Sequence, residues 1–207
     1  DEAEINTALG AADAVILCPG TYWINNPISM ASNKTLLGGG AGCVIKIRDS
    51  KDADLKMIVN SDTEAGNDHI VIKNLKLDGN KANNADGVQS GIILVKVAPS
   101  DSTPGCKIED CFIENFRNSG IMLSSSSNNT ISGNIQRDAS YGIALVTASN
   151  NTITGNTCQG NTNGGIGLFS SSSHNAISGS GFFHKRHIAI LSRGFSVGHC
   201  SCPPYQS

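Results

Sequence analysis

The chain has 207 residues, a formal net charge of −2, 15% charged residues and only 5% aromatic residues. This charge balance excludes a basic surface for nucleic acid or an anionic membrane. No stretch of about 20 apolar residues predicts a membrane span. Gly, Asn, Ser and Thr favour turns over helix interiors, so their abundance argues against a helical bundle. The regular spacing of Val, Ile and Leu argues against disorder.

The N-terminal segment, residues 1–13, predicts a short amphipathic helix. Ile5, Ala8, Leu9 and Ala12 would lie on one side of it. Such a helix can cover the open end of a solenoid, which otherwise exposes apolar side chains and unpaired strand edges. We therefore expect these residues to cap the first coil.

An eight-residue segment recurs at residues 127–134, 149–156 and 173–180, reading Ser-Asn-Asn-Thr-Ile-Ser-Gly-Asn in its first copy. Internal repeats of this length indicate a solenoid. The central apolar residues of the copies and of their looser relatives are Leu36, Ile72, Ile108, Ile131, Ile153 and Ile177. The last three steps along this series are 23, 22 and 24 residues.

These repeats predict columns of identical residues along the solenoid. In a coiled stack of strands, the same position recurs about 4.8 Å above in the next coil. Ile131, Ile153 and Ile177 would then form an inward stack. Asn134 and Asn156 repeat at one turn position, where their amides can bond to the backbone and to each other as a ladder.

The predicted fold is all-β, a single-stranded right-handed parallel β-helix with coils of about 22 residues and a short N-terminal capping helix. The domain organisation that follows has three parts. They are the cap helix at 1–13, the parallel β-helix at 14–180, and an atypical C-terminal cap or tail at 181–207, where the repeat fails.

The first half of the chain departs from the regular spacing. The steps from Leu36 to Ile72 and from Ile72 to Ile108 are both 36 residues, so extra loops must protrude. We expect them at 50–68, 78–90 and 98–105. Loops that project from a rigid scaffold commonly carry binding sites.

Seven cysteines occur without the CxxC spacing of zinc or redox sites. Cys18 and Cys43 lie 25 residues apart, about one coil, so they could stack and form a disulfide. The alternative is that the cysteines are buried as small apolar side chains.

Two stretches carry a likeness to a known group of proteins. They are AVILCPGTYWINNPISMASNKTLLGGGAGCVIKI at 14–47 and IVIKNLKLDGNKANNADG at 70–87. They resemble the pectin-lyase-like parallel β-helix superfamily, and within it the N-terminal part of mannuronan C5-epimerases and related surface β-helix repeat proteins. The likeness spans roughly residues 4–180. It implies a secreted protein that acts on, or lies among, polysaccharides.

The catalytic motif of those epimerases, Tyr-Gly-Phe-Asp-Pro-His, has its matching place at residues 119–124. Only Gly120 remains, and Met122 and Ser124 stand where the family's Asp and His would be. The motifs of pectate lyases and polygalacturonases do not occur either. The sequence therefore favours a non-catalytic protein over an enzyme; if the chain is an enzyme, the resemblance implies a polysaccharide lyase or a C5-epimerase-like activity. No cofactor is expected; calcium is left open as an alternative, although no motif supports a site for it.

Four residues are the predicted substrate-binding candidates: Asp86, Arg117, Arg137 and Asp138. Arg117 and Arg137 are predicted to fall in corresponding turns of neighbouring coils, where two guanidinium groups would suit an anionic sugar. Asp138 could equally pair with Arg137 as a solvated surface ion pair.

Two functional hypotheses follow. The first is a secreted or cell-surface β-helix protein with a structural, assembly or polysaccharide-binding role. Its partners would be a polysaccharide or a second copy, end to end or side by side, with no nucleic acid and no membrane span. The alternative is a divergent lyase, epimerase or hydrolase acting on uronate-containing glycans.

Overall fold

The computed structural model describes residues 1–97, 105–183 and 188–191. Helix α1 spans Glu2–Ala11. The first three coils contain β1 (Ala14–Leu17), β2 (Gly20–Ile24), β3 (Ile28–Met30), β4 (Thr35–Gly38), β5 (Cys43–Ile47), β6 (Leu55–Asn60), β7 (Val71–Lys73), β8 (Lys76–Asp78) and β9 (Gln89–Val95). The next four coils contain β10 (Lys107–Glu109), β11 (Phe112–Glu114), β12 (Ser119–Ser124), β13 (Thr130–Ser132), β14 (Ile135–Arg137), β15 (Tyr141–Val146), β16 (Thr152–Thr154), β17 (Thr157–Gln159), β18 (Gly164–Phe169), β19 (Ala176–Ser178), β20 (Gly181–Phe183) and β21 (Ile188–Leu191).

Every third strand joins the same parallel sheet. Sheet A contains β1, β4, β7, β10, β13, β16 and β19. Sheet B contains β2, β5, β8, β11, β14, β17 and β20, and sheet C contains β3, β6, β9, β12, β15, β18 and β21. Each coil thus contributes one strand to each of three walls. This confirms the predicted all-β parallel β-helix.

The interior is built from columns of branched apolar side chains. On sheet A, Ile131 pairs with Ile108 on one side and with Ile153 on the other, and Ile153 pairs with Ile177. All four are fully or almost fully buried. Burying each such side chain stabilises the fold by about 1.5–3 kcal/mol, so one column is a substantial part of the stability.

Two ladders of asparagine amides line the corners beside sheet A. Asn134 Nδ2 donates to Asn156 Oδ1 at 3.0 Å. On the other side of the sheet, Asn129 Nδ2 donates to Asn151 Oδ1, and Asn151 Nδ2 donates to Asn175 Oδ1, both at 3.0 Å. These amides satisfy buried backbone groups where the chain leaves the sheet, and an unpaired group there would be costly.

The corners share a left-handed backbone conformation. Asn128, Asn150 and His174 occupy one corner with φ of 60°, 57° and 53°. Gly133 and Gly155 occupy the next corner with φ of 66° and 64°. Asn and Gly tolerate this region better than most residues, which explains why they recur at fixed positions in the repeat.

The N-terminal helix is shorter than the predicted 1–13 and ends at Ala11. Ile5 and Leu9 are buried in the core, and Ala8 packs against it. Ala12 lies beyond the helix in an extended conformation with φ −136°. The helix contacts the strands of the first coil, as a cap would. Among the described residues, no helix is long and apolar enough to cross a bilayer.

Strand pairing continues beyond residue 180, where the sequence repeat fails. Strands β20 and β21 extend sheets B and C by one more coil, with Phe182 paired to Cys158 and Ala189 paired to Gly167. Phe182 fits because its ring lies where a side chain on Gly165 would be. Residues 192–207 of the predicted tail, and most of the predicted loop at 98–105, lie outside the described residues.

The predicted disulfide between Cys18 and Cys43 is absent, and both thiols are free. Cys43 opens β5, pairs with Gly20 and is buried inside the coil. Cys18 precedes Pro19 at a corner, and its side chain is exposed. The two cysteines are thus about one coil apart in sequence, but one faces the interior and the other faces solvent.

Candidate functional site

A groove of about 340 Å³ lies on the outer face of sheet C and is lined by residues of the first four coils. Its floor includes Lys56, Ser90, Ile93 and Met122, from β6, β9 and β12. Lys56 pairs with Ser90, and Ile93 pairs with Met122, so these side chains form two rows along the solenoid axis. We call this depression the sheet C groove.

One wall of the groove is made by the inserted loops at 48–54 and 79–88, which Asn84 ties together. Its Oδ1 accepts the backbone N–H groups of Lys51 at 2.7 Å and Asp52 at 3.3 Å. Its Nδ2 donates to the carbonyls of Arg48 at 3.1 Å and Asn80 at 3.0 Å. Asn84 is fully buried, so one amide replaces the water that these loop groups would otherwise need.

The same two loops are joined again at the rim of the groove. Asp54 Oδ1 accepts the N–H of Val88 at 2.8 Å, and Gln89 Nε2 donates to the carbonyl of Ala53 at 2.9 Å. Gly87 lies directly against Ala53 with φ +81°, where a side chain would collide with the Ala53 backbone. The wall is therefore a packed structure with defined hydrogen bonds.

Hydroxyl and amide groups face the groove beside its apolar floor. Asn118 Nδ2 donates to Ser90 Oγ at 3.1 Å, and the Asn118 backbone N–H donates to the Gln89 carbonyl at 2.9 Å. The carbonyl of Asn118 accepts the N–H of Ser140 at 2.8 Å. These bonds fix Asn118 and leave further lone pairs and N–H groups for a bound molecule.

The groove carries two cations, Lys51 and Lys56. Within the described residues neither lysine takes part in an ion pair, in contrast to Lys34, Lys46, Lys73, Lys76 and Lys96. The carboxylate of Asp54, which also lines the groove, is engaged by the Val88 backbone. The lining of the sheet C groove therefore carries two ammonium groups and one carboxylate, a small excess of positive charge.

Two of the predicted site residues, Arg117 and Asp86, lie beside the groove wall, and neither lines the groove. Arg117 is exposed, and its Nε donates to the carbonyl of Asn84 at 2.9 Å. Asp86 is exposed in the neighbouring loop, where its N–H donates to Asp52 Oδ1 at 3.3 Å and its carbonyl accepts Gln89 Nε2 at 2.7 Å. Arg117 thus holds the loop that Asp86 belongs to.

The other two predicted site residues lie on sheet B, and the expected match of Arg117 with Arg137 is wrong. Arg137 pairs with Glu114 across neighbouring strands, whereas Arg117 follows in the corner three residues after Glu114. The Arg137 guanidinium bonds Glu114 Oε2 at 2.6 and 2.7 Å and stacks over the Phe112 ring at 4.7 Å. Asp138 lies 4.0 Å from Arg137 at a left-handed corner.

The sequence predicts the insertions but not which of their residues line the groove. Lys51, Asn84 and Val88 fall outside the repeat and have no column to identify them. The two equal 36-residue steps between Leu36, Ile72 and Ile108 are the sequence feature that could have identified them. Equal steps place the two insertions above each other on the same side of the stack.

The ionisable groups of the groove lining are few. Of the described residues that line it, Asp54 is the one carboxylate, and no histidine lines it. Met122 projects from β12 into the groove.

Comparison with solved structures finds the same fold in polysaccharide-related proteins. The chain is similar to the catalytic domain of GH87 alpha-1,3-glucanase in complex with nigerose, with a TM-score of 0.64 and 17% identity over 92% of this chain and 37% of that one. It is similar to the Azotobacter vinelandii mannuronan C-5 epimerase AlgE4 A-module, with a TM-score of 0.59 and 17% identity over 95% and 69% of the two chains.

A third similar structure is the enzymatically active domain of Bacteriophage CBA120 tailspike protein 2, with a TM-score of 0.67 and 14% identity over 96% of this chain and 36% of that one. The chain thus spans little more than a third of the glucanase and tailspike structures. At these identities the likeness establishes the fold alone. Comparison with curated proteins gives no significant match.

A protein-family comparison assigns most of the chain. Residues 24–195 match the family described as "Periplasmic copper-binding protein (NosD)". The match includes six of the seven coils in full and both insertions that build the groove wall. The chain belongs to the NosD family of parallel β-helix proteins.

Proposed function

We propose that this chain is a non-catalytic, polysaccharide-binding β-helix protein that works outside the cytoplasm. The sheet C groove is the proposed glycan site. The observation that carries the proposal is the combination of the apolar floor at Ile93 and Met122 with the Ser90 and Asn118 hydrogen-bonding groups. Sugar rings present apolar faces and hydroxyl edges together, and sites with this mixture fit them.

The descriptions of the similar proteins support this proposal. Three proteins of the same fold are described as a glucanase with nigerose bound, a mannuronan epimerase and an enzymatically active tailspike domain. The family description includes the word periplasmic. Both features favour a polysaccharide-rich location beyond the inner membrane, such as the periplasm or the cell surface.

The family description also names copper, and the described residues do not fit a copper site. They contain no group of three or more His, Cys, Asp or Glu side chains that could hold a metal ion. Burial raises the pKa of Cys106 to about 11 and the pKa of Cys158 to about 12, which disfavours thiolate ligands. The remaining histidines and cysteines, at 184, 187, 199, 200 and 202, lie outside the described residues.

A binding assay with a matched charge control tests the proposal. Affinity electrophoresis in gels containing alginate, polygalacturonate or a neutral glucan should show retardation by at least one polymer. Lys51→Gln and Lys56→Gln should each weaken binding to an acidic polymer about fivefold, the size of an exposed charge contact. Lys107→Gln, an exposed lysine on the outer face of sheet A, should leave the affinity unchanged.

Two results would contradict the proposal. Absence of retardation in every polymer would remove polysaccharide binding. Formation of unsaturated sugars or new reducing ends during incubation would instead support the alternative, a divergent lyase, epimerase or hydrolase.

A further inference from the structure

The outer face of sheet C continues beyond the groove without a step. Ser119 on β12 pairs with Tyr141 on β15, and Met122 pairs with Ala144. One coil further, Ala144 pairs with Gly167. The row that begins at Met122 therefore continues as two small buried residues, Ala144 and Gly167.

An aromatic pair lies over Gly167. The rings of Tyr141 and Phe169 meet edge to face, with centroids 5.1 Å apart and an interplanar angle of 83°. A Cβ on Gly167 would lie 2.6 Å from Phe169 and 3.1 Å from Tyr141, so both rings occupy the space that the glycine leaves. Both side chains are partly exposed. Because the rings are held by each other, a ligand would lose little entropy in ordering them.

The pair lies in line with the cations of the groove. Lys56 on β6 pairs with Ser90 on β9, and Tyr141 on β15 pairs with Ser119 on β12. Strands β6, β9, β12 and β15 are successive in sheet C, so three inter-strand steps separate Lys56 from Tyr141. At about 4.8 Å for each step, the path is about 14 Å long. Such a path is longer than a single sugar ring.

Resting on the proposed polysaccharide binding, we infer that Tyr141 and Phe169 form a second subsite for a linear acidic polysaccharide lying along the solenoid axis. Lys51 and Lys56 attract carboxylates at one end, where they have no ion-pair partner within the described residues. The aromatic pair packs against the C–H face of a sugar unit at the other end, since aromatic rings contribute large apolar contact areas. Acidic chains of several units therefore bind better than short ones.

Chain length is the variable that tests this subsite. The probes are a disaccharide and an octasaccharide of polygalacturonate, measured by isothermal titration calorimetry with the full chain. Tyr141→Ala should weaken octasaccharide binding about tenfold and leave disaccharide binding unchanged. Tyr141→Phe keeps the ring and should restore octasaccharide affinity. Phe112→Ala, an aromatic control on sheet B, should change neither affinity.

Each outcome has a defined meaning. Unchanged octasaccharide affinity in Tyr141→Ala, with Lys56→Gln still weakened, would overturn the second subsite and leave the groove in place. Failure of the unmodified chain to bind either probe or any polymer would overturn both proposals. A change in sedimentation coefficient without a change in glycan affinity would assign the aromatic pair to contact between copies and overturn the subsite.

Discussion

The regular coils and the inserted coils close their corners in two different ways. In the fifth to seventh coils, one asparagine position is repeated, and Asn129, Asn151 and Asn175 bond to one another in sequence. In the second and third coils, single asparagines serve whole loops. Asn60 Nδ2 donates to the Val95 carbonyl at 2.9 Å, and its Oδ1 accepts the Val95 N–H at 2.8 Å.

The two kinds of corner have different consequences, one for the stability of the fold and one for the shape of the groove. A repeated ladder shares its hydrogen bonds along the stack, so each member supports its neighbours. A lone asparagine such as Asn84 instead fixes one arrangement of two loops, and that arrangement makes the groove wall. The regular coils are expected to dominate the free energy of unfolding, whereas the inserted coils define the binding surface.

The largest expected effect is in the regular interior. Ile153→Ala should lower the free energy of unfolding by about 2–5 kcal/mol, because it removes a fully buried side chain from the middle of a column. Val88→Ala, at an exposed groove residue, should change it by less than about 0.5 kcal/mol. Urea denaturation of both variants measures the contrast. Similar losses of unfolding free energy in the two variants would contradict the proposal that the regular coils dominate stability.

Two asparagine substitutions sharpen the comparison. Asn151→Ala removes bonds to both ladder neighbours and should cost about 1–3 kcal/mol of global stability. Asn84→Ala should instead release the loops locally, because its bonds are confined to them. Hydrogen exchange should speed up at the Lys51 and Asp52 amides in Asn84→Ala and stay slow in Asn151→Ala. The opposite pattern would mean that the loops owe their order to the ladder.

Alkaline pH should weaken the fourth and sixth coils, which contain three buried cysteines. Burial raises the pKa of Cys111 and Cys158 from 9.0 to about 12, and that of Cys106 to about 11. A pKa raised in the folded state means that the unfolded chain loses protons first, so this stabilisation is complete below pH 9 and is lost as the pH rises towards 12. Denaturation across this range should show a fall, and Cys158→Ala should make it less steep.

The smallest expected effect lies at the border of the two regions. Lys73 on β7 and Glu109 on β10 form an ion pair of 3.3 Å on the outer face of sheet A. Because water and salt screen such pairs, Glu109→Gln should leave the denaturation midpoint almost unchanged. The small decrease should be larger in low salt than in high salt. A large loss would show that the two regions depend on each other through surface charge.

The repeat made the fold predictable, and the insertions made the site difficult to predict. Ile131, Ile153 and Ile177 determine the coil length because identical side chains must stack. Lys51 and Val88 meet in the groove only because two loops 36 residues apart along the chain are stacked, which no local pattern encodes. The match of Arg117 with Arg137 failed because the two residues are 20 positions apart (137 − 117), whereas the step between paired positions of β11 and β14 is 23 (137 − 114).

The left-handed corners have a consequence for the length of the molecule. Because Asn150 and His174 adopt nearly the same φ as Asn128, a whole coil begins and ends in the same conformation. A segment of one coil could therefore be duplicated or deleted in the regular region without altering either junction. Each duplication would move the two ends about 4.8 Å further apart and leave the sheet C groove as it is. Selection can thus adjust the molecule's reach in equal increments.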